Sequence, residues 1–278
     1  MPQPDHDLTH ARHDPAHCLA PGLFRSIKRG ERKRSKLDVT YTFGDGESVR
    51  FVGFEPLGAD DLRVLQGIVA LGGPSGLLLT PEPTAKTAQQ LRTDLETRFD
   101  AVNQDGLVVR ESLSKLLAEI GMTDSGDNIK ALKASLLRMS NVTVVVMKDK
   151  RQAAFHLMSH AFDEADGRLW VGLNPRVAEA ILGRRSYARI DMAEVRALKT
   201  APARLIHQRL CGWISPGKFG RVGIDTLCGY VWPNEATGST MRMRRQTTRK
   251  ALAELVCIGW SVSEYASGKW EIGRPKSP

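Results

Sequence analysis

One segment constrains the chain more than any other: Gly238-Ser-Thr-Met-Arg-Met-Arg-Arg-Gln-Thr-Thr-Arg-Lys250 carries five cationic side chains and no acid, and it opens an amphipathic run. At about 100° per residue, Met241, Thr248, Leu252 and Leu255 fall on one face, and Ser239, Arg242, Gln246, Arg249 and Lys250 on the opposite arc. One side packs while the other faces outward with a single sign of charge, whereas a merely solvated helix face mixes signs. Downstream, Trp260-Ser-Val-Ser-Glu-Tyr265 and Lys269-Trp-Glu-Ile272 flank an Ala-Ser-Gly turn, which predicts a hairpin. Upstream, Ile224 to Val231 reads as a short helix with Asp225 as its N-cap. Helix, turn, basic helix and hairpin is the order of a winged helix, whose second helix enters the major groove.

Charge supports a polyanionic partner. The net charge of +9 is uneven: residues 200–278 hold 12 Lys/Arg against 5 Asp/Glu, and residues 37–199 hold 20 against 22. Most of the rest lies in the basic stretch Lys28, Arg29, Arg32, Lys33, Arg34 and Lys36. No run approaches the length of a membrane span and no hydrophobic leader opens the sequence, so a soluble, cytoplasmic protein with no membrane partner is expected. The cysteines at 18, 211, 228 and 257 form no CxxC pair; three of them lie in apolar surroundings, and reduced, buried thiols are expected.

Residues 1–36 are polar, then densely basic, and read as a mobile arm. Val39–Phe43 and Val49–Val52 flank Gly44-Asp-Gly46 as a hairpin. A helix is expected over Asp60–Leu71, stopped by Gly72-Gly-Pro-Ser-Gly76, and another over Ala85–Phe99. Then come helices at Ser112–Ile120 and Asp127–Met139, and strands Val142–Met147 and Ala153–Met158 joined by a cationic turn. This repeats the order helix, turn, helix, hairpin. The expected fold is therefore α+β, with the arm at 1–36 followed by two tandem winged-helix domains at 37–183 and 184–278.

In the second unit, Arg242, Gln246 and Arg249 lie one turn apart on the outward arc and are the expected base readers, since Arg pairs with guanine and Gln with adenine. Ser239, Thr240 and Arg244 at the helix start are expected to hold phosphates, Lys250 on the outward arc is also expected to contact DNA, and Lys269 at the wing tip is expected to meet the backbone. Arg245 points toward the packed side, either reaching past the core to a phosphate or pairing with an acid. In the first unit Lys130, Lys133, Arg138, Lys148, Lys150 and Arg151 make a weaker footprint, and dimer formation competes with DNA contact there.

His10, His13, His17 and Cys18 are of metal-ligand type, but they sit in a Pro-interrupted segment without a second pair. His156 and His160 would face one side of a hairpin with no third ligand. There is no phosphate-cradling GxxxxGK[ST] loop and no His-x-His pair, and Tyr41, Tyr187, Tyr230 and Tyr265 fall in or beside strands or in apolar turns. These patterns argue against nucleotide hydrolysis and strand nicking, so a binding protein with no cofactor is expected.

Long stretches of the chain resemble one family. They are Arg12–Phe24, Lys28–Tyr41, Glu55–Arg63, His207–Ile214, Ile224–Pro233 and Gly238–Arg242. By these the chain is similar to the RepC replication initiators of IncQ-type broad-host-range plasmids. The likeness weakens over 73–106 and 121–152. The resemblance implies binding to direct repeats, iterons, at a plasmid origin, opening of an adjacent AT-rich segment, and recruitment of a plasmid-encoded helicase and primase. It also implies tandem winged helices and a monomer–dimer equilibrium. A repressor of the same fold is the alternative reading, separated by its palindromic target.

Overall fold

The computed structural model describes residues 9–28, 30–163 and 167–276. The first half runs β1 (His10–His13), α1 (Pro15–Leu19), β2 (Leu37–Thr42), β3 (Ser48–Gly53), α2 (Ala59–Ser75), β4 (Leu77–Leu79), α3 (Lys86–Asp94) and β5 (Arg98–Phe99). It continues through β6 (Gly106–Ser112), α4 (Leu113–Glu119), α5 (Gly126–Ser140), β7 (Thr143–Lys148), β8 (Arg151–His156), β9 (Met158–Asp163) and β10 (Arg168–Leu173). The second half holds α6 (Pro175–Ile181), β11 (Ala188–Asp191), α7 (Met192–Ala197), α8 (Ala201–Trp213), β12 (Phe219–Gly223), α9 (Ile224–Val231), α10 (Gly238–Cys257), β13 (Ser261–Ala266) and β14 (Lys269–Gly273).

Local chemistry starts most of these helices. The side chains of Ser112, Ser125, Asn174 and Thr200 accept from backbone N–H groups three residues on and cap α4, α5, α6 and α8, and proline follows Asn174 in the first turn of α6. Asp225 is not the cap of α9. Gly223 holds that position and Asp225 lies in the first turn. Helix α2 does not stop at Gly72 but continues to Ser75. A Cβ on Gly72 would lie 2.9 Å from Cδ1 of Ile181, so this glycine serves close packing rather than termination. Helix α3 ends at Asp94, short of Phe99, because the chain turns through positive φ at Glu96 and Phe99 to pair β5 with β8.

The second half closes on a three-stranded antiparallel sheet in the order β12-β14-β13 behind α8, α9 and α10. The first half is more elaborate than a helix pair with a free wing. Its hairpin β7–β8 lies inside a five-stranded sheet, β2-β3-β7-β8-β5, because β3 pairs with β7 along the outer edge. The second expected wing strand is divided. It leaves this sheet at the buried Leu157 and continues as β9 in a separate sheet, β4-β6-β10-β9. His156 and His160 therefore belong to different sheets.

The stretch expected to be a mobile arm is built into the fold over its described residues. β1 pairs antiparallel with β11, α1 packs on α8, and the amide of Ser26 donates to the carbonyl of Val231. Its buried acid is neutralised by distant partners. Asp14 is wholly buried and pairs with Arg176 at 2.7 Å, and Arg176 and Arg185 also grip Glu47. Residues 1–8 and Arg29 of that expectation lie outside the described residues. One apolar core runs from Leu23 and Leu62 through Leu205 to Leu255 and joins both halves.

Candidate nucleic-acid interface

Helix α10 buries Thr248, Ala251, Leu252 and Leu255 against α8 and α9, which orients the remaining arc outward. Ser239, Thr240, Arg242, Met243, Gln246, Arg249 and Lys250 are exposed. Among the described residues, the side chains of Arg242, Gln246, Arg249 and Lys250 have no partner. The helix has one acid, Glu254, and it is turned inward: its carboxylate accepts from the Thr200 hydroxyl at 2.6 Å and from the amides of Lys199 and Thr200. The outward arc is thus cationic and free of internal neutralisation.

Two arginines of the cluster serve the fold. Arg245 donates from Nε and Nη2 to the two oxygens of Asp225, at 2.6 and 2.7 Å, and so ties α10 to α9. That bidentate bond holds the Asp225 carboxyl below its usual range. Arg244 donates to the carbonyl of Asn234 at 2.5 Å, with its guanidinium 5.6 Å from the Trp232 ring centroid, and steadies the turn between the helices. Thr237 occupies the N-cap of α10 without a side-chain hydrogen bond, so the first amides of the helix stay open beside Ser239 and Thr240.

The hairpin turn lies next to the start of α9. The amide of Ile224, at the head of α9, donates to the carbonyl of Gly268 in the hairpin turn, and the exposed Lys269 follows that turn. Arg221 pairs with Glu271 across the sheet and stacks on Tyr265.

In the first half the footprint is smaller than expected. Lys130, Lys133, Lys150 and Arg151 are exposed, and the Lys133 ammonium lies 4.7 Å from the Phe162 ring centroid. Lys148 pairs with Asp45 at 2.7 Å. Arg138 is committed to the buried Asp61 and does not belong to an outward surface. Of the basic stretch, Lys28, Lys33, Arg34 and Lys36 are exposed, whereas Arg32 donates to Pro56 O and to Asp61.

The histidine-rich segment does not assemble a set of ligands. His13 and His17 are core residues, 6.3 Å apart between ring centroids, and burial pushes both imidazoles down to about 3. His10 lies on the outer side of the β1–β11 ribbon, and Cys18 accepts from Gln208. A group that sequence spacing did not single out is Glu194, His207 and Cys211. His207 and Cys211 are one turn apart on α8, and Nε2 of His207 lies 2.6 Å from Glu194 Oε2. That is a hydrogen-bond length, whereas two ligands of a tetrahedral zinc ion stand roughly 3.3 Å apart. Burial opposes a charge on His207, but Cys211 and Glu194 more than offset it and hold the imidazole up at about 10. Trp260 donates its indole N–H to the other oxygen of Glu194, completing a packed polar clasp. Tyr230 lies on α9, not beside a strand, and faces Arg209.

No helix among the described residues is long and apolar enough to cross a membrane. The chain is similar in fold to crystal structures of RctB domains 2 and 3. For one the TM-score is 0.56 at 11% identity, covering 93% of this chain and 97% of that one; for a second it is 0.55 at 12%, covering 94% and 97%. No curated protein matches in sequence. The model of one family, Replication protein C, matches residues 5–276, and on that near-complete match the chain belongs to the RepC family.

Proposed function

We propose that this RepC-family protein is a plasmid replication initiator that reads direct repeats at its origin, with α10 as the reading helix of a winged-helix unit formed by α8, β12, α9, α10, β13 and β14. The observation that carries this reading is the outward arc of α10, cationic, uncapped at its start and without internal partners. In this arrangement Arg242, Gln246 and Arg249 meet base edges. Ser239, Thr240, Lys250 and the open amides hold phosphates, and Lys269 on the hairpin contacts the backbone.

Residues 242–250 rise about 12 Å along the helix, roughly the span of three to four base pairs. One such helix gives modest affinity. A second contact from Lys130, Lys133, Lys150 and Arg151, with exposed lysines of the 28–36 stretch on nearby phosphates, supplies the rest through linkage. Binding energy spent on bending favours an AT-rich neighbour, where deformation costs least, and the opened strands would then receive a helicase and primase. The protein would act as a monomer in equilibrium with a dimer. It has no catalytic role in this scheme and requires no cofactor.

The test is a gel-shift titration at about 150 mM salt on an origin fragment with direct repeats, a single repeat, a palindromic control and a scrambled sequence. Tight binding that steps with repeat number supports the initiator reading. Preference for the palindrome favours a repressor, and equal, steeply salt-dependent binding to all four sinks sequence-specific recognition.

A further inference from the structure

Met243 stands near the centre of the outward arc of α10 and is 61% exposed, the one large apolar side chain on that face of the helix's cationic half. By helical spacing Ser239, Gln246 and Lys250 surround it, with Arg242 beside it. Helix direction tilts its side chain back over the turn at Ser239 and Thr240, the same turn whose amides are open. A lone exposed methionine needs no explanation on an ordinary surface. Here, every outward neighbour within one helical turn of it is polar or cationic, and a thioether there gains nothing from phosphate.

The major-groove edge of B-DNA carries one apolar group, the C5-methyl of thymine. From this match we infer that Met243 is a specificity residue of the reading helix, seated on a thymine methyl between the bases met by Arg242 and Gln246. The unbranched thioether is polarisable and adapts its rotamer, which suits a contact whose register is set by the flanking polar pairs. This inference rests on α10 being the helix that reads DNA.

The experiment begins with the full-length protein selecting its binding sequence from a pool of random duplexes. Each thymine of the selected site is then replaced singly by deoxyuridine, which removes only the methyl group. Binding is measured for the wild type, Met243→Ala and Met243→Leu. At one thymine, deoxyuridine is expected to weaken the wild type about fourfold, the factor given by about 0.8 kcal/mol for one buried methyl group. Met243→Ala should weaken binding to the thymine duplex by at least as much and no longer distinguish thymine from deoxyuridine there. Met243→Leu should keep most of the discrimination.

A selected sequence with Met243→Ala retaining the full wild-type deoxyuridine pattern removes Met243 from recognition and leaves α10 as the reader. Uniform weakening of Met243→Ala on every duplex overturns the assignment in the same way. If no sequence is selected at all, the reading role of α10 falls, and the methionine contact falls with it.

Discussion

The carboxylate of Asp61, with no exposed surface, receives both Nε and Nη2 of Arg138 on one oxygen, at 3.0 and 2.7 Å. Its other oxygen takes the amide of Gly58 and Arg32, so a single acid joins the start of α2, the end of α5 and the basic stretch. The second half has a counterpart of reversed polarity, in which Glu254 near the end of α10 accepts from the start of α8. In each half the start of one helix is thus locked to the far end of a later one, α2 to α5 and α8 to α10.

Asp61→Ala leaves two guanidinium groups facing a vacated, partly buried site, a loss on the order of 3–5 kcal/mol. Arg138→Ala removes one of three donors and should cost less, about 2–3 kcal/mol, since Arg32 still covers the carboxylate. Denaturant unfolding with a two-state check measures both. If Arg138→Ala weakens DNA binding strongly at unchanged stability, the arginine has a direct contact and the structural role is wrong.

The cluster of Asp14, Glu47, Arg176 and Arg185 pins the N-terminal segment to α6 and to the start of β3. Arg176 is nearly inaccessible, so Arg176→Leu leaves both buried carboxylates to Arg185 alone and should destabilise by about 2–3 kcal/mol. Limited proteolysis adds a local readout. Cleavage before residue 36 should accelerate in the variant well below its melting temperature, and an unchanged digestion pattern would show that the segment is held by apolar packing alone.

How much was visible in sequence depends on the range of the interaction. The α10 stripe, the helix start at Ser112 and the β13–β14 hairpin are specified by neighbours within a few residues, and they stand where expected. The arm was misread because His13, Asp14 and His17 look solvated until Arg176 and Arg185 arrive from far along the chain. The same limit hid the pairing of β3 with β7, the short strand β12, and which of its two expected partners Arg245 takes, the acid Asp225 rather than a phosphate. Local periodicity says which side of a strand or helix is buried but not what covers it.

The difference among the arginines of α10 separates their phenotypes. Arg242→Ala and Arg249→Ala should each cost about 1–3 kcal/mol on a specific duplex and relax its sequence preference. Lys269→Ala should lower affinity on specific and nonspecific duplexes alike and flatten the salt dependence. Arg245→Ala should instead loosen the α9–α10 pair, and Asp225→Ala should reproduce most of its effect on binding. Competition titrations across salt, run on all five variants, distinguish these classes; equal losses on every sequence for Arg242 and Arg249 would withdraw them from base reading.

Acid should destabilise the protein through its core histidines. His13 and His17 have folded values near 3 against an ordinary value of 6.5, so the stability they contribute is complete above about 6.5 and is lost as pH falls toward 3, while the unfolded chain takes up protons. At pH 5 this amounts to about 2 kcal/mol for each histidine. His207 acts in the opposite sense: with its value raised to about 10, its contribution is full below about 6.5 and fades as pH rises through 10. Between pH 7 and 5 the two lowered histidines outweigh the raised one, because His207 has most of its stabilisation at both ends of that interval. Urea titrations at pH 7 and 5 should therefore show a net loss of about 3 kcal/mol in the wild type. His17→Leu should shrink that loss by about two-thirds, to about 1 kcal/mol, whatever its effect on absolute stability. A wild type equally stable at both values would mean that His13 and His17 accept protons in the folded state, and that the segment carrying them opens to water.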